Sequence, residues 1–474
     1  MNKIYIVAGM LALGMAAQAQ NKDGGISEQM VRQIQQVQKP QQKALFNALA
    51  SNKIDDLARN FEAQRQIDTY FSVETPKQSI TDQKQSGRCW MFSGMNVLRS
   101  NFAQRKDSTL GFVPADSKVS LEFSQDYLFF WDQLEKANLF LQGVIDNASK
   151  PLDDQRLQFF FKSPINDGGT FCGVADLADK YGLVPREAMP ETYSAENTSK
   201  MASIMKSVLR QQGLTLREMV NAKKSKKDVQ QKKTEMLGEV YRMLAMTLGE
   251  PLKEFTYAFK STEGKTLCPA KTYTPKAFMR DVVGEQINGT FIMVMNDPRN
   301  PYYKTYEVEY DRHTYDGHNW KYLNLPMDEI EQLAIASLKD GRKLYSSYDV
   351  GKQLDRTRGY SSLDNFDYES LFGTEFTMDK AQRISTFDSG STHAMTLTAV
   401  DLDEQGKAKK WKVENSWGAS WGQQGCIIMT DEWFREYMFR LVVDKKYVPE
   451  NILKMEQQKP IMVMPEDPLF QMDE

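Results

Sequence analysis

One cysteine of this chain stands where a polar loop meets the start of an apolar pattern with helical spacing. The loop reads Gln83-Lys84-Gln85-Ser86-Gly87-Arg88-Cys89-Trp90, and apolar residues then recur every three or four positions to Leu98. Cys89 is therefore predicted at a helix N-terminus, where free N–H groups and the helix dipole lower a thiol's pKa. Such a thiolate is a nucleophile for covalent catalysis. A buried, unreactive thiol is the alternative at this point.

Gln83 lies on the loop that leads to Cys89. A side-chain amide in this position, together with a backbone N–H group, provides the donors that stabilise an oxyanion.

A thiol nucleophile needs a base, and the base needs a third group that fixes its tautomer and orientation. The candidates for the base are few, because the chain has only three histidines, His313, His318 and His393. His393 begins an alternating segment that predicts a strand, and Asn415 ends the next such segment. Neighbouring strands would bring these two side chains together, so Cys89, His393 and Asn415 supply one group of each kind.

Three further residues are candidates for the substrate site. Trp417 follows Asn415 closely and would cover the Asn–His hydrogen bond and exclude water. Gly168 and Gly169 form a turn before a predicted helix. Adjacent glycines let an extended peptide approach closely, although a plain turn explains them equally well.

Metal chemistry is not predicted. His313 and His318 lie near Asp311 and Asp316, but their spacing is not that of a known metal site. The four cysteines show no C-x-x-C spacing and no disulfide framework.

Length and composition are those of an ordinary globular protein. The 474 residues, 41% hydrophobic and 26% charged, predict one large elaborated domain or two domains with a substantial core. The net charge of −3 indicates no general attraction to nucleic acid or membranes. The basic cluster at residues 222–227 is interpreted as a solvated loop or helix face rather than a nucleic-acid contact.

The first 19 residues have the three parts of a secretory signal: a short basic start, an apolar run, and Ala17-Gln18-Ala19 as the cleavage pattern. A buried N-terminal helix is the alternative. The apolar run is shorter than the about 20 residues that span a bilayer, and no cysteine follows it for lipid attachment. We expect a mature chain that begins near Gln20 and is exported to the periplasm or beyond, without a membrane anchor.

The mature chain changes in character along its length. Helical patterns dominate residues 60–280, and strand patterns dominate residues 281–445. This division predicts an α+β fold with two facing lobes.

The segments around the catalytic candidates resemble those of the papain-like cysteine peptidases. These segments are residues 83–90, Thr392-His393-Ala394-Met395 and Glu414-Asn415-Ser416-Trp417-Gly418. More closely, the chain resembles the bleomycin hydrolase and bacterial aminopeptidase C branch, over nearly the whole mature chain. The additional matching segments are residues 122–125, 166–169, 296–299, 349–352 and 429–434. Cys89 and His393 are much further apart than the ~130–150 residues of compact papain relatives, which fits a branch with large insertions in both lobes.

The resemblance implies a papain-like two-lobe fold, in which residues 20–445 form the peptidase domain. The helical lobe carries the nucleophile helix, and the strand-rich lobe carries the histidine and asparagine. The implied roles are Cys89 as nucleophile, His393 as base and then acid, Asn415 as the orienting residue, Gln83 and the Cys89 N–H as oxyanion donors, and Gly168 and Gly169 as substrate aligners. No metal or organic cofactor is implied.

The resemblance also implies a role for the C-terminal arm, residues 446–474. In this branch the arm lies in the cleft and blocks one end, so that substrates bind by a free amino terminus; homohexamers that enclose the active sites are typical. Here two acidic residues and the carboxylate of Glu474 would pair with a substrate ammonium group. A disordered acidic tail is the alternative.

These features predict a cysteine-type exopeptidase, an aminopeptidase that hydrolyses short peptides. A papain-like endopeptidase is the alternative if the arm leaves the cleft open. A Cys-His acyl transferase is a second alternative, against which Asn415 and Gln83 argue. The branch is usually cytosolic, whereas this chain is predicted to be exported. Ser86 stands where secreted papain relatives often have a disulfide cysteine.

Overall fold

A computed structural model describes residues 24–37, 43–65 and 68–470 of this protein. The chain divides into two compact units, residues 1–59 and residues 60–474. The described helices of the first unit are α1 (Glu28–Val37), α2 (Lys43–Ser51) and α3 (Ile54–Ala58). The predicted signal peptide lies outside the described residues.

The second unit contains the remaining helices and all the strands of the described residues. Its helices are α4 (Phe61–Gln64), α5 (Cys89–Ala103), α6 (Gln125–Asp146), α7 (Gln155–Lys162), α8 (Phe171–Tyr181), α9 (Tyr193–Glu196), α10 (Thr198–Asn221), α11 (Lys226–Leu248), α12 (Pro275–Val282), α13 (Met327–Lys339), α14 (Tyr368–Phe372), α15 (Lys380–Ser385), α16 (Asp431–Tyr437) and α17 (Glu450–Glu456).

The strands are β1 (Val73–Glu74), β2 (Val119–Ser120), β3 (Phe255–Tyr257), β4 (Lys260–Ser261), β5 (Lys271–Tyr273), β6 (Phe291–Met295), β7 (Thr305–Val308), β8 (Lys321–Asn324), β9 (Leu344–Tyr348), β10 (Leu354–Asp355), β11 (Tyr360–Ser361), β12 (His393–Leu402), β13 (Ala408–Glu414), β14 (Cys426–Thr430), β15 (Met438–Asp444) and β16 (Ile461–Val463).

A twelve-stranded, mostly antiparallel sheet organises the C-terminal half. Its strand order is β10-β11-β14-β13-β12-β9-β15-β6-β8-β7-β16, and β1 pairs with β12. The long strand β12 lies between β9 and β13 and is buried along nearly its whole length. The sheet therefore holds the first residue of β12, His393, at a fixed place near its middle.

Helices cover both faces of this sheet, because its central strands are apolar on both sides. On β12, Ala394 belongs to the core that contains α5, α6 and α8, whereas Met395 and Leu397 belong to the core that contains α13 and α16. Successive side chains of a strand point to opposite faces, which explains this alternation.

The strands of the large sheet other than β1 all follow residue 290, although α13 to α16 lie among them, and the short strands β2 to β5 lie among the earlier helices. Helix α5, which begins at Cys89, is buried from Trp90 to Ser100 and packs along β12. Among the described helices, none combines the length and the apolar composition that a membrane-spanning segment requires.

The C-terminal segment is ordered as far as the structure describes it. After α17, strand β16 pairs in parallel with β7, and a 3-10 turn follows at Pro468–Phe470. Leu469 in this turn is completely buried.

Candidate active site

Cys89 is the first residue of α5, as the sequence predicts. Its Sγ atom accepts a hydrogen bond from the backbone N–H of Ala394 at 3.5 Å. The thiol therefore lies at the start of β12, next to the residue that follows His393. Packing of α5 against β12 brings together residues that are far apart in the sequence.

His393 and Asn415 are joined by a hydrogen bond of 2.9 Å between the histidine Nε2 and the asparagine Oδ1. The strand register explains it: Thr396 pairs with Glu414, so Asn415 continues β13 as a diagonal neighbour of His393 on the same face. Asn415 Oδ1 also accepts from the N–H of Ser416 at 2.8 Å, which identifies this atom as the acceptor. The proton of the neutral imidazole is thus on Nε2, and Nδ1 remains free to accept one.

Burial sets the ionisation of both reacting groups. Desolvation raises the pKa of the half-buried Cys89 thiol to about 11, outweighing the lowering effect of N–H groups from Ala394 and Trp90. This direction is opposite to the one that the helix N-terminus alone predicts. Desolvation likewise lowers the pKa of His393 to about 4, although its bond to Asn415 opposes the shift. A lone charge on either group is therefore disfavoured.

Gln83 is fixed by a short ladder between its loop and the loop after Asn415. Its backbone N–H donates to the carbonyl of Ser416 at 2.8 Å, and Asp82 forms a bridge with Trp417. The side-chain Oε1 accepts from the hydroxyl of Ser416 at 2.5 Å, and Nε2 donates to the carbonyl of Ser86 at 2.5 Å. An amide nitrogen has two hydrogens, so one N–H of Gln83 remains available as an oxyanion donor.

The two glycines occupy different environments. Gly168 is buried and its carbonyl accepts from the ammonium of Lys136 at 2.6 Å, so this carbonyl is already engaged. Gly169 is half-buried, and a Cβ atom there would lie 2.1 Å from Cε1 of His313. The role of both glycines in aligning a substrate stays a prediction.

A buried polar network supports this glycine segment. His313 Nδ1 bonds to Asp132 at 2.5 Å, and its Nε2 accepts from the N–H of Thr170 at 3.3 Å. Lys136 bonds to Asp132 at 3.0 Å and to the carbonyls of residues 166 and 168. These roles are not predicted from the sequence. A sequence signal for them is the pair Asp132 and Lys136, two opposite charges four residues apart on α6.

His318 and Trp417 are also singled out by the sequence, the first as a candidate metal ligand and the second as a cover for the Asn–His bond. His318 bonds through Nδ1 to Asp176 at 2.7 Å. Within residues 24–37, 43–65 and 68–470, no group of three or more His, Cys, Asp or Glu side chains is arranged to hold a metal ion. The ring of Trp417 lies 4.9 Å from the ring of His393, where it covers the imidazole.

The C-terminal arm approaches the site. Asp467 forms an ion pair with Arg299 at 2.7 Å, and the carbonyl of Leu469 accepts from the N–H of Ser391 at 3.3 Å. Ser391 is two residues before His393. Glu474, predicted to meet the substrate amine, lies outside the described residues.

Comparison with known proteins agrees with this geometry. The model of the Peptidase C1-like family matches residues 26–470. The chain is 37% identical over 428 residues to an aminopeptidase C of Lactobacillus delbrueckii subsp. lactis, covering 89% of this chain and 92% of the relative. It is 37% identical over 398 residues to the bleomycin hydrolase of Homo sapiens, covering 82% and 85%.

A solved structure is also similar. The crystal structure of PepW from Lactobacillus rhamnosis has a TM-score of 0.88 at 35% identity, covering 95% of this chain and all of that one. The predicted papain-like fold and the predicted branch are thereby confirmed. This chain belongs to the Peptidase C1-like family.

Proposed function

We propose that this protein is a cysteine aminopeptidase that releases residues from the amino terminus of short peptides, with Cys89 as nucleophile and His393 as base. The observation that carries the proposal is the Asn415–His393 bond. It fixes the imidazole tautomer with Nδ1 unprotonated, and the thiol at the start of α5 accepts a hydrogen bond from the N–H of Ala394, the residue after His393. Family membership and the named aminopeptidase C relatives support the same activity.

The reaction follows from the positions of these groups. His393 Nδ1 takes the thiol proton, and Sγ attacks the carbonyl carbon of the scissile peptide bond. The carbonyl oxygen then becomes negative and accepts hydrogen bonds from Gln83 Nε2 and from the backbone N–H of Cys89. The imidazolium gives its proton to the leaving amine, and a thioester remains. Water, deprotonated by the same imidazole, hydrolyses the thioester and restores the thiol.

The anchored arm supports the choice of an aminopeptidase over an endopeptidase. Asp467 holds the arm to Arg299, Leu469 is buried, and the guanidinium of Arg440 lies 5.4 Å from the ring of Phe470. The carbonyl of Leu469 is thus held beside Ser391, two residues before His393. In our proposal Glu474 and the terminal carboxylate receive the substrate ammonium group.

Paired substrates test this choice. We expect efficient hydrolysis of a peptide with a free amino terminus and little hydrolysis of its N-acetylated form. Deletion of residues 471–474 should reduce this preference, whereas Glu450→Gln, at an exposed position far back on the arm, should leave it unchanged. Efficient cleavage of the acetylated peptide by the full-length protein would instead support an endopeptidase, and aminolysis products in place of acids would support an acyl transferase.

Export and assembly are further parts of the proposal. We propose removal of residues 1–19 during export, and a homohexamer in solution as in the branch that the chain resembles. The mass of the native protein recovered from a producing cell tests both: a chain starting near Gln20 outside the cytoplasm and a sixfold mass are expected. An intact amino terminus would contradict removal of the signal, and a monomer mass at micromolar concentration would contradict the hexamer.

A further inference from the structure

We propose that Arg88 and Ser86 are positioning residues for the oxyanion donor Gln83, and that the buried partner of Arg88, Glu191, fixes them. This inference rests on the proposed function, because it assigns a supporting structure to one of its donors. It is carried by a continuous series of hydrogen bonds that runs from Glu191 to the Gln83 amide.

Arg88 is the anchor of this series. Its side chain is completely buried, and one terminal nitrogen donates to the carboxylate of Glu191, itself 4% exposed, at 2.6 Å. The guanidinium also lies 5.3 Å from the ring of Phe92 and 5.1 Å from the ring of Phe129. A planar guanidinium that is paired and packed between two rings has little freedom to move.

Ser86 transmits the position of Arg88 to Gln83. The Nε–H of Arg88 donates to the hydroxyl oxygen of Ser86 at 3.0 Å. That hydroxyl donates in turn to the backbone carbonyl of Gln83 at 2.6 Å, and the carbonyl of Ser86 accepts from Gln83 Nε2. Ser86 and Gln83 are thus joined by two hydrogen bonds that form a closed ring. This ring sets the orientation of the second N–H of the Gln83 amide.

Ser416 holds the other end of the same amide, through its bond to Gln83 Oε1. Both ends of the amide plane are therefore fixed before any substrate binds. A donor that is already oriented stabilises the developing oxyanion without a cost of reorganisation at the moment of reaction. Loosening the Ser86 end should affect the transition state rather than the binding of the substrate.

The test is a double-mutant cycle on the full-length enzyme, with Ser86→Ala and Gln83→Ala measured singly and together. Gln83→Ala should lower kcat by about 10²–10³-fold, the usual effect of losing one oxyanion donor. Ser86→Ala should lower kcat by roughly tenfold with KM unchanged. This loss is smaller than that of Gln83→Ala because the oxyanion donor is misoriented rather than removed. In the Gln83→Ala background, Ser86→Ala should cost less than about twofold, because the group that it orients is already absent.

Two further variants separate positioning from folding. Ser86→Thr keeps the hydroxyl and should restore kcat, and Arg88→Lys keeps a charge for Glu191 but loses the Nε–H and should behave like Ser86→Ala. Gln85→Ala, an exposed position on the same loop, should leave kcat unchanged. Equal losses from Ser86→Ala in both backgrounds, or a loss that appears in KM, would overturn the proposal. Absence of peptidase activity in the unmodified enzyme would instead reject the proposed function.

Discussion

The two sides of the active site are built in different ways. His393 and Asn415 are positioned by backbone pairing, since β12 and β13 place them as diagonal neighbours in one register. Gln83 and Gly169 lie on loops, where side chains add to the backbone bonds: Ser416 holds the Gln83 amide, and the ring of His313 lies against Gly169. On the sheet side, function should therefore depend on the catalytic side chains themselves. On the loop side, it should also depend on buried residues that never touch the substrate.

The largest effect is expected on the sheet side, at the base itself. His393→Ala removes the acceptor of the thiol proton, so kcat should fall by about 10⁴-fold or more. Because burial raises the pKa of Cys89 to about 11, the rate at which this variant reacts with a small alkylating reagent should rise only at strongly alkaline pH. A variant that keeps its reactivity at pH 7 would show that the thiol is activated without His393.

A large effect is expected on the loop side at Lys136, which no substrate contacts in our account. Lys136→Met leaves the buried carboxylate of Asp132 without its ammonium partner and frees the carbonyl of Gly168. Loss of one partner of a buried pair costs about 3–5 kcal/mol of unfolding free energy. KM for peptides should rise as well, because the glycine segment loses its support. Urea unfolding and steady-state kinetics measure the two effects.

Lys232→Met is the matched control for this change. Lys232 forms an ion pair with Glu235 on the exposed face of α11. Such a pair contributes less than about 1 kcal/mol. Equal destabilisation by the two variants would contradict the role assigned to the buried network.

A smaller effect is expected at Gly169. A Cβ atom there would overlap the ring of His313, so Gly169→Ala must displace the segment or the ring. Overpacking of this kind costs about 1–3 kcal/mol, and KM should rise. At Gly238 in α11 nothing lies within 4 Å of an added Cβ atom, and Gly238→Ala should instead stabilise the helix slightly. Thermal unfolding of both variants checks the contrast.

The change expected to affect catalysis least is a pH dependence of stability beside the Arg88–Glu191 pair. Burial, with the Glu191 charge, raises the pKa of Asp126 to about 8, while Arg88 and Thr192 oppose the shift. Between about pH 4 and 8 the folded protein thus holds a proton that the unfolded chain has released. The free energy of unfolding should fall as pH rises through this window, and Asp126→Asn should remove that contribution. Parallel pH dependences of the two proteins in urea titrations would contradict it.

The sequence predicts the sheet side well, because strand patterns and residue types act over short distances. His393 at a strand start, Asn415 at the end of the next strand and Cys89 at a helix start all follow from local patterning. The direction of the Cys89 pKa shift does not follow from local patterning, because it depends on how far packing in the folded protein removes water from the thiol. The residues that support the loops could not be predicted from the sequence either, since Arg88 and Glu191 come into contact only in the folded chain.

The central claim is that Cys89 is a nucleophile activated by His393 in a site that accepts a free amino terminus. Treatment with a thiol-reactive peptide probe that carries a free amino terminus, followed by mass mapping, tests it directly. We predict one adduct on Cys89 among the four cysteines, formed at neutral pH, lost in His393→Ala and weakened when the probe is N-acetylated. Labelling of Cys172, Cys268 or Cys426 instead, or equal labelling of Cys89 with and without His393, would contradict the account.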